Sequence, residues 1–280
     1  MTAWLSLIGT GADGVSGLNP AARALLEQAE IVLGPKRLMN SENFGTAEVH
    51  EWASPLSKTV AQLATWRGRQ VAILATGDPM HYGIGATLIE HFALEEMRIL
   101  PAPSAFSLAA ARMGWALQEA ETLSLHGRAA ARLQAFLQPG AKLLVLTAGA
   151  ETIAKAANMM VARGFGPSAM TVLENMVGSD EKVTTFLASE AGAHSFGPFH
   201  TLAIRCVAEM DAPLRPTTPG LPDEAYAHDG QLTKREVRAV TLSALAPAPG
   251  ALLWDVGAGC GSVAIEWMRA ARGARAMAFE

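Results

Sequence analysis

The chain has 280 residues, half of them hydrophobic and 17% charged, proportions that exclude a largely disordered protein. With 22 Lys plus Arg against 26 Asp plus Glu, the net charge of −4 lacks the basic footprint of a nucleic-acid binder. Apolar runs such as 71–75 and 143–146 have strand length and fall far short of a membrane span, and residues 1–8 lack the basic start of a signal peptide.

In chain order, short β-type runs alternate with helical stretches, the pattern of an α/β protein with helices packed on a largely parallel sheet. Residues 4–8 read as the first strand. Asn19 and Pro20 then supply an N-cap and a first-turn proline for a helix through Glu30. Residues 31–33 form the next strand, and Ser54-Pro55 repeats the cap signal for a helix to about Trp66. The apolar run 71–75 is a central strand that enters Thr76-Gly77-Asp78-Pro79. After a strand ending near Leu100, Ser104 starts an alanine-rich helix that stops at Gly114. The second half restarts the pattern, with a strand at 143–147, a helix at 150–163 and strands at 170–173, 183–187 and 201–207, antiparallel in part. Pro213, Pro216, Pro219 and Pro222 mark 211–222 as a linker. Beyond it come a helix (233–245), a strand (252–256), a helix (262–272) and the start of another strand (276–279).

Two glycine loops follow strands. Gly9-Thr10-Gly11-Ala12-Asp13-Gly14 fits G-x-G-x-x-G, yet no helix opens until Pro20 and the second strand exits into Gly34-Pro35-Lys36-Arg37. A dinucleotide site needs a helix at once and an acid after the second strand, and both are missing. The loop reads as a turn that lets backbone approach something bulky. Asp255-Val-Gly257-Ala-Gly259-Cys-Gly261 differs, because it lies directly between a strand and a helix, and Glu280 falls where the following strand ends. Cys206 and Cys260 lie in separate halves, which leaves no disulfide framework and no metal site.

Residues 1–210 resemble the tetrapyrrole methylase family along their whole length. The resemblance is carried by Leu7-Ile-Gly-Thr-Gly11, Thr76-Gly-Asp-Pro-Met-His-Tyr-Gly83, Pro101-Ala-Pro-Ser-Ala-Phe-Ser107, Leu146-Thr-Ala-Gly149 and Glu174-Asn175. Ser124-Leu-His-Gly-Arg128 is similar to the branch acting at C5 of precorrin-6Y. The Asp255–Gly261 turn resembles motif I of Rossmann-like methyltransferases, and residues 223–280 resemble the start of a C15-methylating, decarboxylating domain. The implied organisation is two αβα lobes (about 1–112 and 113–210), the linker, and a partial class I methyltransferase domain at 223–280.

The resemblance further implies S-adenosylmethionine as cofactor, held in one domain by Thr76, Gly77, Asp78, Ser104, Ala105, Ala148 and Met176. In the other it implies Thr233, Gly257, Ala258, Gly259, Cys260, Gly261 and Glu280. Gly9 and Gly11 are expected toward a tetrapyrrole trough. For an anionic tetrapyrrole, precorrin-6Y, the candidate partners are Lys36, Arg37, Arg112, His126 and Arg128. Lys36 and Arg37 read equally well as a solvated helix start, and His81 as a structural histidine. A proton lost from the meso carbon has His126 or water as acceptor. The implied setting is a cytoplasmic homodimer or higher homo-oligomer in cobalamin biosynthesis, with no nucleic-acid or membrane partner. The piece at 223–280 is expected to be too short for the C15 half-reaction. Competing readings are another relative, such as a uroporphyrinogen, diphthine or ribosomal RNA methylase, or a non-catalytic binding module. Gly34-Pro35-Lys36-Arg37 stands where related uroporphyrinogen methylases carry an Asp-Arg pair, so no catalytic aspartate is carried over.

Overall fold

In the computed structural model, which describes residues 3–41 and 43–280, the apolar runs pair into two five-stranded sheets and a separate two-stranded one. The first sheet uses β1 (Leu5–Thr10), β2 (Ile31–Gly34), β3 (Glu48–Glu51), β4 (Val71–Thr76) and β5 (Met97–Leu100), in the order β3-β2-β4-β1-β5. All of its pairings are parallel. Strand alternation explains why its sequence is continuously apolar. Leu5, Leu7, Ile31, Leu33, Val71 and Ile73 enter one core, and Ile8, Val32, Ala72 and Leu74 enter the other. The helices connecting these strands are α1 (Pro20–Glu27), α2 (Lys36–Ser41), α3 (Leu56–Thr65) and α4 (Ile84–Leu88).

Asn19 caps α1 as expected, its side-chain oxygen accepting from the Ala22 N–H at 2.9 Å, although the helix ends at Glu27. The cap expected of Ser54 is not made. Pro55 is the N-cap residue of α3, with no side-chain cap bond, and Ser54-Pro55 is a cis peptide. The strand β3 has no sequence signal, because its residues are mostly exposed and carry no apolar alternation.

The helix α5 (Ala105–Met113) is capped by Ser104, whose hydroxyl accepts from the Ser107 N–H at 3.1 Å, and ends on Gly114 with φ 64°. It packs Phe106, Ala109 and Ala110 against Leu144, Leu173 and Ala203 of the second sheet. The last helix of the 1–112 stretch thus packs on the second sheet. The second sheet comprises β6 (Ala120–Ser124), β7 (Lys142–Leu146), β8 (Ala169–Glu174), β9 (Lys182–Leu187) and β10 (His200–Arg205), in the order β6-β7-β10-β8-β9. Only β6 and β7 run parallel. Its other face buries Ile153, Ala156, Ala157 and Met160 of α6 (Ala150–Ala162).

The last segment holds α7 (Arg235–Leu245), β11 (Leu252–Val256), α8 (Ser262–Ala270) and β12 (Arg275–Phe279). The parallel pair β11–β12 leaves Trp254 69% and Val256 79% exposed. A buried polar clasp ties 220–226 to these helices. Glu266 accepts from Arg238 Nε and the Tyr226 hydroxyl, both at 2.6 Å, and from the Gly220 N–H at 2.6 Å.

Candidate functional site

A cleft of about 210 Å³ opens between the two five-stranded sheets, at the carboxyl ends of β1 and β4. Its floor is backbone. The Gly77 N–H donates to the Thr10 carbonyl at 2.7 Å, and the Ala102 N–H to the Gly77 carbonyl at 3.4 Å. Three chain turns converge there because Gly9 has no side chain. A Cβ on Gly9 would lie 2.2 Å from the Gly77 oxygen and 2.4 Å from the Ala102 nitrogen. Gly77 itself has φ 71°, a left-handed conformation that glycine adopts without strain.

Thr76, Gly77 and Asp78 line the cleft together with Gly11, Ser104, Ala105 and Met176. An Asp78 carboxylate oxygen accepts from the Met80 N–H at 2.8 Å, which fixes the turn after β4. Tyr82, Phe106 and Asn175, members of the motifs without an assigned role, also line it, as do Phe199, Thr201 and His200, which no motif contains, and His81. His81 lines the cleft, its ring tilted against that of Phe106 with 4.7 Å between centroids. Tyr82 (φ 58°), Asn175 (φ 49°) and Val177 (φ 72°) hold left-handed backbone beside the cleft, and such outliers concentrate at ligand sites.

The cationic candidates lie elsewhere. Lys36 is exposed and outside the lining, as are His126 and Arg128 in the turn after β6. Two cations nevertheless reach across between the lobes. Arg37 from the first lobe sits 4.5 Å over the Phe199 ring, and Arg128 from the second sits 5.4 Å over Tyr82. Tyr82 also donates its hydroxyl to the Thr122 carbonyl at 3.3 Å. Arg112 is already engaged. It forms a two-pronged ion pair with Glu181, one contact at 2.8 Å, and Glu181 accepts from the Val177 N–H at 2.7 Å. The Arg112 guanidinium, with that N–H second, holds the Glu181 carboxyl down at about 2. Arg112 thus braces the loop carrying Asn175 and Met176. Ala148, expected at the cofactor, is not in the lining, and Gly9 meets backbone where a trough was expected.

His200 has both ring nitrogens occupied. Nδ1 faces the Gly197 carbonyl, an acceptor, so it carries the proton, and Nε2 accepts from the Thr147 hydroxyl at 2.6 Å. Buried Cys206 is inert, its thiol pushed up to about 12 by burial. Among the described residues no group of three His, Cys, Asp or Glu side chains could hold a metal ion, and no helix is long and apolar enough to cross a membrane.

In the last segment Gly257, Gly259 and Gly261 have φ 73°, 52° and 70°. The Gly257 and Ala258 N–H groups donate to the Phe279 carbonyl, and the Gly259 N–H to a Glu280 carboxylate oxygen at 2.9 Å. Cys260 lies in the same turn, while Thr233 precedes α7 and gives its carbonyl to Arg238.

The glycine-floored cleft thus lies between a parallel and a mixed five-stranded sheet, a two-lobed α/β architecture. Residues 5–192 match the family of tetrapyrrole (corrin/porphyrin) methylases, and residues 224–280 match a precorrin methyltransferase domain. The chain belongs to the tetrapyrrole methylase family. It is 46% identical over 268 residues to a precorrin-6Y C(5,15)-methyltransferase (decarboxylating) of Sinorhizobium sp., covering 95% of this chain and 65% of that protein. The same-named protein of Mycobacterium tuberculosis (strain CDC 1551 / Oshkosh) is 38% identical, over 98% of this chain and 69% of its own length. The chain thus spans about two thirds of the length of these relatives. Among solved structures, the precorrin-6Y methylase of Archaeoglobus fulgidus superposes with a TM-score of 0.56 at 22% identity, covering 74% of this chain and all of that one. A uroporphyrin-III C-methyl transferase of Thermus thermophilus, complexed with S-adenyl homocysteine, gives 0.56 at 18%, covering 72% and 96%.

Proposed function

We propose that residues 1–210 methylate precorrin-6Y at C5 from S-adenosylmethionine, within cobalamin biosynthesis. The observation that carries this reading is the cleft floored by Gly77 and bounded by Asp78, Ser104, Ala105 and Met176. It fits such a cofactor, because backbone without a side chain at Gly9 and Gly77 forms the floor and no cationic side chain lines it to oppose a sulfonium. S-adenosylmethionine would supply an already electrophilic methyl group, and an electron-rich meso carbon needs no protein nucleophile. The residues therefore bind, orient and exclude water, and positioning of that kind is worth about 7–11 kcal/mol. Asp78 fixes the turn that presents the Gly77 backbone. Tyr82 and Phe199, each covered by an arginine, form the rim against which a flat macrocycle packs. Arg37 and Arg128 are then in reach of its carboxylates. The meso proton leaves to water, since His126 lies outside the cleft.

We also propose that 223–280 belongs to a second cofactor site of the C15-methylating, decarboxylating type. Gly257, Ala258, Gly259, Cys260 and Gly261 form its turn, with Glu280 as acceptor for ribose hydroxyls and Thr233 at its entrance. Its similarity to part of a probable cobalt-precorrin-6B C(15)-methyltransferase of Pyrobaculum calidifontis, 51% over 51 residues, supports this reading. The expected assembly is a cytoplasmic homodimer or higher homo-oligomer. Incubation with precorrin-6Y and methyl-labelled S-adenosylmethionine tests both halves. A single label at C5 supports the first proposal, absence of any labelled tetrapyrrole overturns it, and label at C15 with loss of the acetate carboxyl assigns activity to the second half.

A further inference from the structure

Two arginines that the cleft does not use grip the proline-rich segment from opposite sides, and a third lies in the segment between their contacts. Arg163 caps the end of α6, Arg215 lies in the segment, and Arg269 belongs to α8. Arg163 is 4% exposed. Its Nη2 donates to the Pro213 carbonyl at 3.2 Å, while its Nε and Nη1 are buried with no acceptor. Arg269 Nη2 donates to the carbonyls of Arg215, at 2.8 Å, and Pro216, at 3.3 Å, and its Nε is likewise buried without a partner. The Arg215 carbonyl also accepts from Gln138 Nε2 at 2.8 Å, so one short stretch of chain is fastened to both sides.

Glu266 acts on Arg269 through its charge without contacting it. Among the described residues no carboxylate forms an ion pair with any of the three. Glu266, one turn before Arg269, already accepts from Gly220, Leu221, Tyr226 and Arg238. The consequence is visible at Arg163, which burial first, and then the charges of Arg215 and Arg269, lower to about 10. It stays charged at neutral pH. A buried cation with unmade hydrogen bonds is costly, and an unanswered buried donor calls for a water or an ion. Capping of linker carbonyls accounts for the two Nη2 groups and leaves Arg163 Nε and Nη1 and Arg269 Nε unexplained.

We infer that Arg163, Arg215 and Arg269 form a site for a phosphate-class oxyanion, which fastens the 211–222 segment to the second lobe and to α8. The unmade donors, Nε and Nη1 of Arg163 and Nε of Arg269, suit an oxyanion acceptor, and three guanidinium charges offset its own. Arg215 and Arg269 are only partly buried, so the cluster is not sealed from solvent.

The test titrates sodium phosphate against sodium chloride at constant ionic strength on the whole chain, and reads the rate of proteolysis within 211–222. Cleavage that requires release of the segment should slow saturably in phosphate, by about tenfold at ten times the dissociation constant. Arg215→Gln should lose that response while cutting no faster in chloride, because a like charge has been removed. Arg215→Lys, which keeps the charge and loses the fork, should need several-fold more phosphate. A response to adenosine monophosphate without one to inorganic phosphate assigns the same site to an organic phosphate. Equal protection by chloride, or a full phosphate response in Arg215→Gln, overturns the inference.

Discussion

The chain contains two glycine turns at the carboxyl ends of parallel strands, and they use glycine for different reasons. In the first, Gly9 is crowded. Its missing side chain lets the backbones of β1, Gly77 and Ala102 meet, with 2.2 Å from a notional Cβ to the Gly77 oxygen. In the second, nothing lies within 4 Å of a Cβ on Gly257, Gly259 or Gly261, and what glycine supplies is three left-handed residues in five. The first turn belongs to a sheet with apolar cores on both faces, the second to a two-stranded sheet with exposed Trp254 and Val256. A glycine motif therefore signals close packing in one place and backbone conformation in the other, and spacing alone does not separate the two.

The sharpest way to break this comparison is Gly9→Ala, for which two backbone groups would have to move. Overpacking of a rigid site costs about 3 kcal/mol, so urea unfolding should show a large loss. A loss under 1 kcal/mol would mean that the three turns are not tightly joined. Next is Gly77→Val, where a β-branched residue meets φ 71° at the cleft floor. Calorimetry should find S-adenosylmethionine affinity reduced at least about a hundredfold, roughly 2.7 kcal/mol, in a protein that still folds. Unchanged affinity would remove the cofactor from this loop.

Arg128→Lys should raise KM for the tetrapyrrole about tenfold, near 1.4 kcal/mol, and spare cofactor affinity, since a lysine cannot stack its charge over Tyr82 as a planar group does. Equal steady-state constants would make the residue a bystander. By contrast Gly259→Ala meets no neighbour and should cost only about 1 kcal/mol from its positive φ. A thermal melt showing several times that loss would place hidden packing at the second turn.

The smallest effect belongs to the brace behind the cleft. The folded-state carboxyl of Glu181 is held at about 2, below its ordinary 4.5. Its contribution is therefore present above about pH 4.5 and is lost as pH falls toward 2. The stability gap between wild type and Glu181→Gln, about 1 kcal/mol or less for a partly exposed pair, should close over that window. A gap that persists at pH 2 would deny the ion pair its role.

Local physics made much of this legible in the sequence. Strand alternation, the Asn19 and Ser104 caps, the glycine ends of α5 and α6, and the order of motifs each depend on residues a few positions apart. Those features define the α/β class, whereas the two lobes and the set Thr76, Gly77, Asp78, Ser104, Ala105 and Met176, which one cleft brings together, are what the family resemblance implies. What local pattern left open depends on contacts between distant segments. The exposed strand β3 carries no alternation, and α5 joins the second lobe only because Phe106 and its neighbours find Leu144 and Leu173. Arg112, a candidate substrate ligand by sequence, is held by Glu181, 69 residues away. The aromatic rim of Tyr82 and Phe199, each under an arginine from the opposite lobe, is equally invisible in one dimension. Turn chemistry and periodicity are properties of a short stretch of chain, whereas the partner of a charge or a ring is fixed only when the sheets have packed.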